Sequence, residues 1–326
     1  SARSIPCEYT EYRDLTRAFS GMQLATVAIL YRVPMGLEYE ALKQEAARLG
    51  LPLYYDIDDP IFDEATYRDN RNLDVLSARE REHLLAQIPG YKRVMEDVGR
   101  VIVSTTGMSE RVRSATNVDT VIVWPNLIDS ATQNIFEQLP PRNTGAREHI
   151  ALGYFSGSRA HDLDLDLVAG VLAKLLQSDS RLQLYLGGYT SLPASLSDLG
   201  DRITFLGFMS YHAYLEHLAA MDIHIVPLLI DRFNACKSGI RYLEASMCTV
   251  PTVASSVGQF TEMIEDGVTG FLCNTPEDWQ QALTELTENP QRRLEMAQAA
   301  RRSVLASYSL SNERYNTLAG DIIDVA

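Results

Sequence analysis

The residues best suited to chemistry lie in the last third of the chain, where Lys237 and Ser238 precede a segment that is helical in pattern from Gly239 to Met247. The first N–H groups of a helix have no partner within it, and they favour anions. An ammonium beside them adds a charge-assisted bond of roughly 1.5–3 kcal/mol. The alternative is a solvated lysine at a helix start. We predict a binding site for an anionic group such as a phosphate or diphosphate.

Glu244 lies seven residues after Lys237, which corresponds to two helical turns and predicts that both side chains share one face. A carboxylate can accept hydrogen bonds from both hydroxyls of a ribose. This spacing is compatible with a ribose bound beside the anion, with a plain surface glutamate as the alternative. Arg241 lies one turn from both residues, where it would pair with Glu244.

A second polar turn follows the predicted strand 150–155, where the chain reads Ser156, Gly157, Ser158 and Arg159. Glycine allows a ligand to approach the backbone closely. A guanidinium can bind a diphosphate through two parallel hydrogen bonds. We therefore predict that Gly157, Ser158 and Arg159 contact the same ligand as Lys237, although a bare turn between strand and helix would look similar.

Predicted strands alternate with helical segments throughout the chain, which indicates parallel sheets with crossover helices. The predicted strands are 24–30, 51–57, 100–104 and 118–124 in the first half, and 150–155, 182–186, 203–206, 223–226, 252–254 and 270–273 in the second. Ligands of such sheets bind beyond the carboxyl ends of the strands. The site is therefore expected in the cleft between two halves.

A segment without periodicity, 130–149, contains Pro140, Pro141, Asn143 and Gly145, which is typical of a linker. We predict an N-terminal domain of residues 1–135, a linker of 136–149, a C-terminal domain of 150–310, and a final helix of 311–326 that crosses back to the N-terminal domain. The first predicted element is a helix, so we expect the N-terminal domain to lack its first strand.

Bulk composition excludes several classes of protein. The chain has 326 residues and a formal net charge of -14, which argues against broad nucleic-acid binding. No apolar run reaches the length of a membrane span. The four cysteines are scattered without metal-ligand spacing, so free thiols in a reducing cytoplasm are expected.

The C-terminal half carries an ordered series of motifs. The chain reads FNACKSGIRYLEA over 233–245, VPTVAS over 250–255, then Gly258, Glu262 and DGVTGFL over 266–272. This series resembles the retaining, group-1 type GT-B glycosyltransferases of bacterial exopolysaccharide and cell-envelope polysaccharide biosynthesis, over most of residues 150–310. Weaker similarity covers VIVS at 101–104 and VWPNLID at 123–129. The resemblance implies an α/β fold with two Rossmann-like, doubly wound domains that face a central cleft.

The resemblance also implies roles for further residues. The base of the nucleotide would lie beside Phe208, although ordinary packing is the alternative there. The loop of Gly258, Gln259 and Phe260 would lie beside the donor sugar, with its N–H groups facing the phosphates. Glu262 would hold a sugar hydroxyl or Lys237, or merely cap a helix.

The family often has two glutamates eight positions apart at the donor site. Here the second is Glu244, whereas Cys236 occupies the first position. The run of Asp56, Asp58 and Asp59 follows a predicted strand at the place where family members have a histidine. Such a run can bind a metal or cap a helix, but we expect no metal because the run lies far from the phosphate site. Asp58 would instead orient the acceptor hydroxyl or stabilise positive charge at the anomeric carbon.

Taken together, the resemblance predicts a hexosyltransferase with Asp58, Lys237 and Glu262 as catalytic residues and no metal or cofactor. It would move a hexose from a nucleoside-diphosphate sugar, best UDP-glucose, to a polysaccharide or lipid-linked glycan. Such acceptors imply a cytoplasmic protein at the inner face of the membrane, with peripheral association. Two alternatives remain open: a GT-B nucleotide-sugar epimerase, and a donor-binding protein that no longer transfers because Cys236 replaces a glutamate.

Overall fold

The computed structural model describes residues 6–139, 149–157 and 162–324, which form two parallel α/β domains. The first run of elements is α1 Leu15–Met22, β1 Ala28–Tyr31, α2 Leu37–Leu49, β2 Leu53–Ile57, α3 Glu64–Arg68, α4 Ala78–Val98, β3 Arg100–Val103, α5 Thr106–Ala115, β4 Thr120–Val123 and α6 Ser130–Gln138. The second run is β5 Ile150–Ser156, α7 Asp162–Ser178, β6 Leu182–Gly188, β7 Ile203–Gly207, α8 Tyr211–Ala219, β8 Ile223–Val226, α9 Ile240–Met247, β9 Thr252–Ser255, α10 Phe260–Met263, β10 Phe271–Cys273, α11 Pro276–Glu288, α12 Pro290–Ser307 and α13 Glu313–Asp324. Short 3-10 turns occupy Arg71–Val75, Ala194–Arg202 and Asn234–Cys236.

Helix boundaries follow local signals in the sequence. Helix α2 ends at Gly50, which adopts the left-handed conformation with φ 66°, as the sequence predicted. Helix α4 begins with a capping box in which Ser77 and Glu80 satisfy each other's backbone N–H groups. The polar segment 63–99 has a helical pattern in the sequence, and the structure divides it into α3, a 3-10 turn and α4. This division matters because the segment forms one wall of the cleft.

The N-terminal sheet has the strand order β1-β2-β3-β4, all parallel. One face packs against α1, α2, α4 and α5, with Tyr55 and Val101 at the centre of that core. On the other face, Tyr54 and Ile102 pack against Ile322 of α13. The order runs in one direction only, so the four described strands lack the reversal expected of a doubly wound half. The final helix supplies the second layer instead.

The C-terminal sheet has the order β10-β9-β8-β5-β6-β7 and is doubly wound. Helices α7 and α11 cover one face, where Leu172 and Leu283 are fully buried. Helices α8, α9 and α12 cover the other face. The strand order reverses between the neighbouring strands β5 and β8, which is the point where ligands of such sheets bind.

The chain crosses between the domains twice, and the two crossings are hydrogen-bonded to each other. The Ile128 N–H donates to the Tyr308 carbonyl at 2.8 Å, and the Leu310 N–H donates to the Ile128 carbonyl at 3.1 Å. Helix α6 includes residues 136–138 of the predicted linker, and Phe136 packs in the C-terminal core. The first crossing therefore lies near Ile128 rather than at residue 135. Residues 140–148 lie outside the described residues.

Candidate active site

The carboxyl ends of both sheets face a common cleft, and the strand-order reversal lies at its centre. Gly157 follows β5, and a Cβ added there would meet no atom of the described residues within 4 Å. The segment 227–239 follows the neighbouring strand β8. Gly157 is exposed at this edge of the sheet, and its predicted contact with a ligand stays a prediction. Ser158 and Arg159 lie outside the described residues, so their predicted contacts remain predictions.

Lys237 has an extended backbone with φ -66° and ψ 140°, and α9 begins three residues later at Ile240. The Gly239 N–H donates to the Gln259 side chain at 2.8 Å. Within the described part of the chain, the N–H groups of Ser238, Ile240 and Arg241 have no hydrogen-bond partner. These N–H groups and the nearby Lys237 ammonium have the donor chemistry of an anion site, and we call them the anion site below. Their predicted contact with a diphosphate stays a prediction.

The loop after β9 packs directly on this segment. Gly258 has φ 61°, and a Cβ there would lie 2.6 Å from the Asn234 carbonyl oxygen. The Gln259 N–H donates to the Lys237 carbonyl at 3.1 Å rather than facing a phosphate. The Phe260 side chain is buried in the C-terminal core. Gly258 and Gln259 therefore shape the anion site, but the predicted phosphate contact of the Gln259 N–H is wrong because that group is already paired.

Across the cleft, the Lys237 ammonium forms an ion pair with Asp59, with 2.9 Å between Nζ and Oδ1. Arg32 donates to Asp58 and Asp59, both at 2.5 Å, and its backbone has φ 49°. Burial acts to raise the pKa of Asp59, but Lys237 and Arg32 together hold it below its usual range. Burial and then the nearby Asp58 raise the pKa of Asp56 to about 6.

Arg32 was not found from the sequence. The available signal was an arginine two residues after the end of the predicted strand 24–30, at the carboxyl edge where Asp58 and Asp59 also lie. That strand begins at Ala28, four residues later than predicted, and ends at Tyr31. The φ of 49° is uncommon for a residue other than glycine and places the guanidinium between the two carboxylates.

Further hydrogen bonds join the domains around this site. The Thr105 hydroxyl donates to the Cys236 carbonyl at 2.9 Å, and the Asn126 amide donates to the Ser238 hydroxyl at 3.0 Å. The Thr106 hydroxyl donates to Glu262 at 3.3 Å. Glu262 therefore contacts the N-terminal domain, and Lys237 contacts Asp59 in place of Glu262. The weaker sequence similarity at 123–129 was the signal for Asn126.

Cys236, which stands at the first position of the two-glutamate pattern, is buried against the N-terminal core. Its Sγ lies 3.7 Å from the Gly107 carbonyl and 3.5 Å from the Arg232 carbonyl. Burial raises the pKa of the thiol to about 12. A Cβ on Gly107 would overlap the Ala235 carbonyl oxygen. The site is too tightly packed for a solvated carboxylate at this position.

Glu244 lies inside the C-terminal domain and is 7% exposed. The Tyr214 hydroxyl donates to its carboxylate at 2.8 Å. Burial raises the pKa of Glu244, although hydrogen bonds from Tyr214 and Tyr211 oppose the shift. Because Lys237 precedes α9 with an extended backbone, the two side chains do not share a helix face as the spacing predicted. Its predicted role as a ribose partner remains a prediction.

Phe208 is exposed after β7 and stacks on Tyr189, with 4.9 Å between ring centroids and 21° between planes. Tyr189 follows β6, so the pair stands at the same carboxyl edge as the anion site. Gly207, directly before Phe208, has φ 65°. An exposed aromatic pair provides a flat apolar surface suited to a nucleobase. Tyr189 was not anticipated from the sequence.

Comparison with known proteins agrees with this geometry. Residues 151–289 match the family described as Glycosyl transferases group 1. A D-inositol 3-phosphate glycosyltransferase of Kineococcus radiotolerans is 28% identical over 250 residues, covering 67% of this chain and 56% of that protein. The corresponding protein of Rhodococcus jostii is 25% identical over 282 residues, covering 76% and 60%. The chain thus spans little more than half the length of these relatives.

Solved structures establish the fold as GT-B. HepE of Anabaena in complex with UDP has a TM-score of 0.64 at 16% identity, covering 96% of this chain and 82% of that one. WaaG, a glycosyltransferase involved in lipopolysaccharide biosynthesis, has a TM-score of 0.63 at 18% identity, covering 97% of both chains. Among the described helices, none combines the length and apolar character needed to cross a bilayer.

Proposed function

We propose that this protein is a retaining glycosyltransferase that moves a hexose from UDP-glucose to a glycan acceptor. The observation that carries the proposal is the anion site at the start of α9. There, Lys237 pairs with Asp59 and is followed in the chain by the N–H groups of Ser238, Ile240 and Arg241, which have no hydrogen-bond partner among the described residues. The match of residues 151–289 to group 1 glycosyl transferases supports the activity.

The chemistry requires stabilisation of a leaving diphosphate. As the bond between the anomeric carbon and the phosphate oxygen breaks, negative charge grows on that oxygen. Cationic and N–H donors placed there stabilise the transition state more than the bound donor. Lys237 would exchange Asp59 for the diphosphate. This donor set supports a reaction that needs no metal ion.

The acceptor hydroxyl would approach from the N-terminal side of the cleft. Its oxygen forms a bond to the anomeric carbon on the face that the diphosphate leaves, and its proton passes to the leaving phosphate oxygen. Asp58, held by Arg32 at 2.5 Å, would orient the hydroxyl or stabilise positive charge at the anomeric carbon. This route retains the anomeric configuration without a protein nucleophile.

The identity of donor and acceptor rests on the relatives and the aromatic pair. HepE has been solved with UDP-glucose, and Phe208 stacked on Tyr189 offers a surface for uracil. Relatives of known role include WaaG, a glycosyltransferase involved in lipopolysaccharide biosynthesis. We propose a polysaccharide or lipid-linked glycan as acceptor, and a cytoplasmic site of action at the membrane surface.

The test combines binding with product formation. Isothermal titration calorimetry with UDP should show that Lys237→Ala weakens binding by roughly 1–3 kcal/mol. Lys174→Ala, an exposed lysine on α7, is the matched control and should bind as the parent does. Radiolabelled UDP-glucose with lipid-linked glycan extracts should give a labelled product, with or without a chelator.

Three results would contradict the proposal. If the parent protein and Lys237→Ala bind UDP with equal affinity, Lys237 does not hold the diphosphate and the proposed anion site is wrong. Conversion of UDP-glucose to another UDP-hexose without acceptor would indicate an epimerase. UDP binding without product from any acceptor extract would indicate a donor-binding protein, in keeping with Cys236 at the glutamate position.

A further inference from the structure

The first turn of α5 is in direct contact with the 3-10 turn Asn234–Cys236, which precedes Lys237 and is called the 234–236 turn below. Gly107 is the point of contact, because a Cβ there would overlap the Ala235 carbonyl oxygen and lie 3.2 Å from the carbonyl carbon of the same residue. Gly107 has the negative φ of an ordinary helical residue. Glycine inside a helix is less favourable than alanine, so the close approach accounts for this glycine and the helix does not.

A buried hydroxyl group fixes the same contact. Thr105, which is 1% exposed, accepts a hydrogen bond from the Met108 N–H at 3.0 Å and so caps α5. The same hydroxyl donates to the Cys236 carbonyl at 2.9 Å. Hydrogen bonds from a hydroxyl to an oxygen have lengths of roughly 2.5–3.0 Å, so a shift of about 1 Å between α5 and the turn would break this one.

The second domain also holds the 234–236 turn in place. A Cβ on Gly258 would lie 2.6 Å from the Asn234 carbonyl oxygen, so the backbone of the loop after β9 packs directly on the turn. The Gln259 N–H donates to the Lys237 carbonyl at 3.1 Å. An atom added to the first turn of α5 would therefore displace α5 from the turn, rather than the turn from its own domain.

The start of α5 moves together with the carboxylates of the first domain. Strand β3 leads into α5, and it pairs in parallel with β2 up to the last residue of each strand. Asp58 and Asp59 follow β2 directly. The separation that is set at Gly107 is consequently the separation between these carboxylates and Lys237, whose ammonium lies 2.9 Å from Asp59.

We propose that Gly107 is a positioning residue for the proposed transfer reaction. Because it has no side chain, α5 can close on the turn before Lys237, and Asp58 is thereby brought to its working distance from the donor site. The proposal rests on the proposed function. It adds a residue that acts through Asp58 and Lys237 and contacts neither substrate.

Gly107→Ala tests the proposal. Carbon and oxygen atoms that are not bonded to each other stay roughly 3.3 Å apart or more, so the new methyl group requires a displacement of about 1 Å. A misplacement of this size can cost about 100-fold in rate, and we expect kcat with UDP-glucose to fall roughly 10- to 100-fold. UDP affinity in calorimetry should be at least that of the parent, because the groups proposed to bind UDP lie in the second domain.

Gly170→Ala is the matched control. Gly170 also lies inside a helix, α7, but it is exposed, and a Cβ there would meet no atom of the described residues within 4 Å. This variant should keep the kcat and the UDP affinity of the parent. Circular dichroism should show that both variants are folded, since alanine is the better helix former at both positions.

The displacement itself can be measured without activity. Nitroxide labels at Glu110→Cys in α5 and Gln281→Cys in α11, both exposed positions, report the distance between the domains by double electron–electron resonance. Cys7→Ser removes the exposed cysteine from this background, and the other three cysteines are buried. Gly107→Ala should shift or broaden the distance distribution, whereas Gly170→Ala should reproduce that of the parent.

An unchanged kcat or an unchanged distance distribution in Gly107→Ala would overturn the proposal. Loss of UDP binding in this variant would also overturn it, because the effect would then lie inside the second domain. A parent protein that binds no UDP and forms no product would refute the proposed function instead, and the distance measurement would still decide whether Gly107 sets the separation of the domains.

Discussion

Asp59 and a bound diphosphate would compete for the Lys237 ammonium, because that ammonium already forms an ion pair with Asp59. Replacing Asp59 by asparagine removes the negative charge and keeps the size of the side chain. In this variant, Arg32 keeps Asp58 as an acidic partner at 2.5 Å. Of the two cations that pair with Asp59, Lys237 is then the one that has lost its acidic partner. We therefore expect Asp59→Asn to bind UDP more tightly than the parent protein.

The magnitude follows from the geometry of the pair. A hydrogen bond between charged groups contributes roughly 1.5–3 kcal/mol. Both side chains are partly exposed, at 23% for Lys237 and 22% for Asp59, so solvent screening weakens the attraction between them. A net gain of about 1–2 kcal/mol remains, which corresponds to roughly 5- to 30-fold tighter binding.

The assay is calorimetric titration of UDP into the parent, Asp59→Asn, Lys237→Ala and the double variant. If Asp59 acts through Lys237, the gain from Asp59→Asn must vanish in the Lys237→Ala background, since a double-mutant cycle isolates their coupling. An Asp59→Asn protein that binds UDP no more tightly than the parent would refute the competition. A gain that persists without Lys237 would show that Asp59 acts on the nucleotide directly.

Four further outcomes follow from the site. Asp58→Ala should leave UDP affinity unchanged and lower turnover; if UDP binding is lost, the domains' roles are reversed. Phe208→Ala should weaken UDP binding by roughly 1–3 kcal/mol, by loss of a stacking surface, while UDP affinity equal to the parent's would place the base elsewhere. Glu244→Gln should weaken calorimetric UDP affinity by roughly 1 kcal/mol, and unchanged affinity would exclude a ribose contact. The pKa of Asp56 is raised to about 6, so ionisation of this carboxyl as the pH rises from about 4 to 6 destabilises the fold. In urea titrations, Asp56→Asn should therefore raise the free energy of unfolding above pH 6 by roughly 1–3 kcal/mol, and this gain should disappear near pH 4. A gain that does not change with pH would contradict the raised pKa.

Local patterns predicted much of the fold. The alternation of strands and helices gave the parallel sheets, and the start of α9 was placed within one residue of its position at Ile240. Such features depend on residues that are neighbours in the chain. Periodicity did not indicate the one-directional strand order of the first sheet. The return of the final helix to the N-terminal domain was predicted, but its contact between Ile322 and Tyr54 joins residues too far apart in sequence for periodicity to relate.

The sequence predicted Lys237 as the cation of the site, but it did not predict that Lys237 pairs with Asp59. Lys237 beside a helix start is a local pattern, whereas its ion pair with Asp59 joins two domains. The assumption that Lys237 and Glu244 share a helix face failed because α9 begins after Lys237. Arg32 depends on a backbone conformation with φ 49°, which few side chains adopt and no composition rule indicates.

The return of α13 to the first domain makes the C-terminal domain an insertion within the N-terminal one. During synthesis, residues 150–310 can complete their own core before Ile322 has been made. One face of the first sheet, with Tyr54 and Ile102, stays uncovered until then. The usual order, in which the domain made first also finishes folding first, is therefore reversed in this chain. A truncation after residue 310 would expose apolar surface in the domain farthest from the cut in sequence.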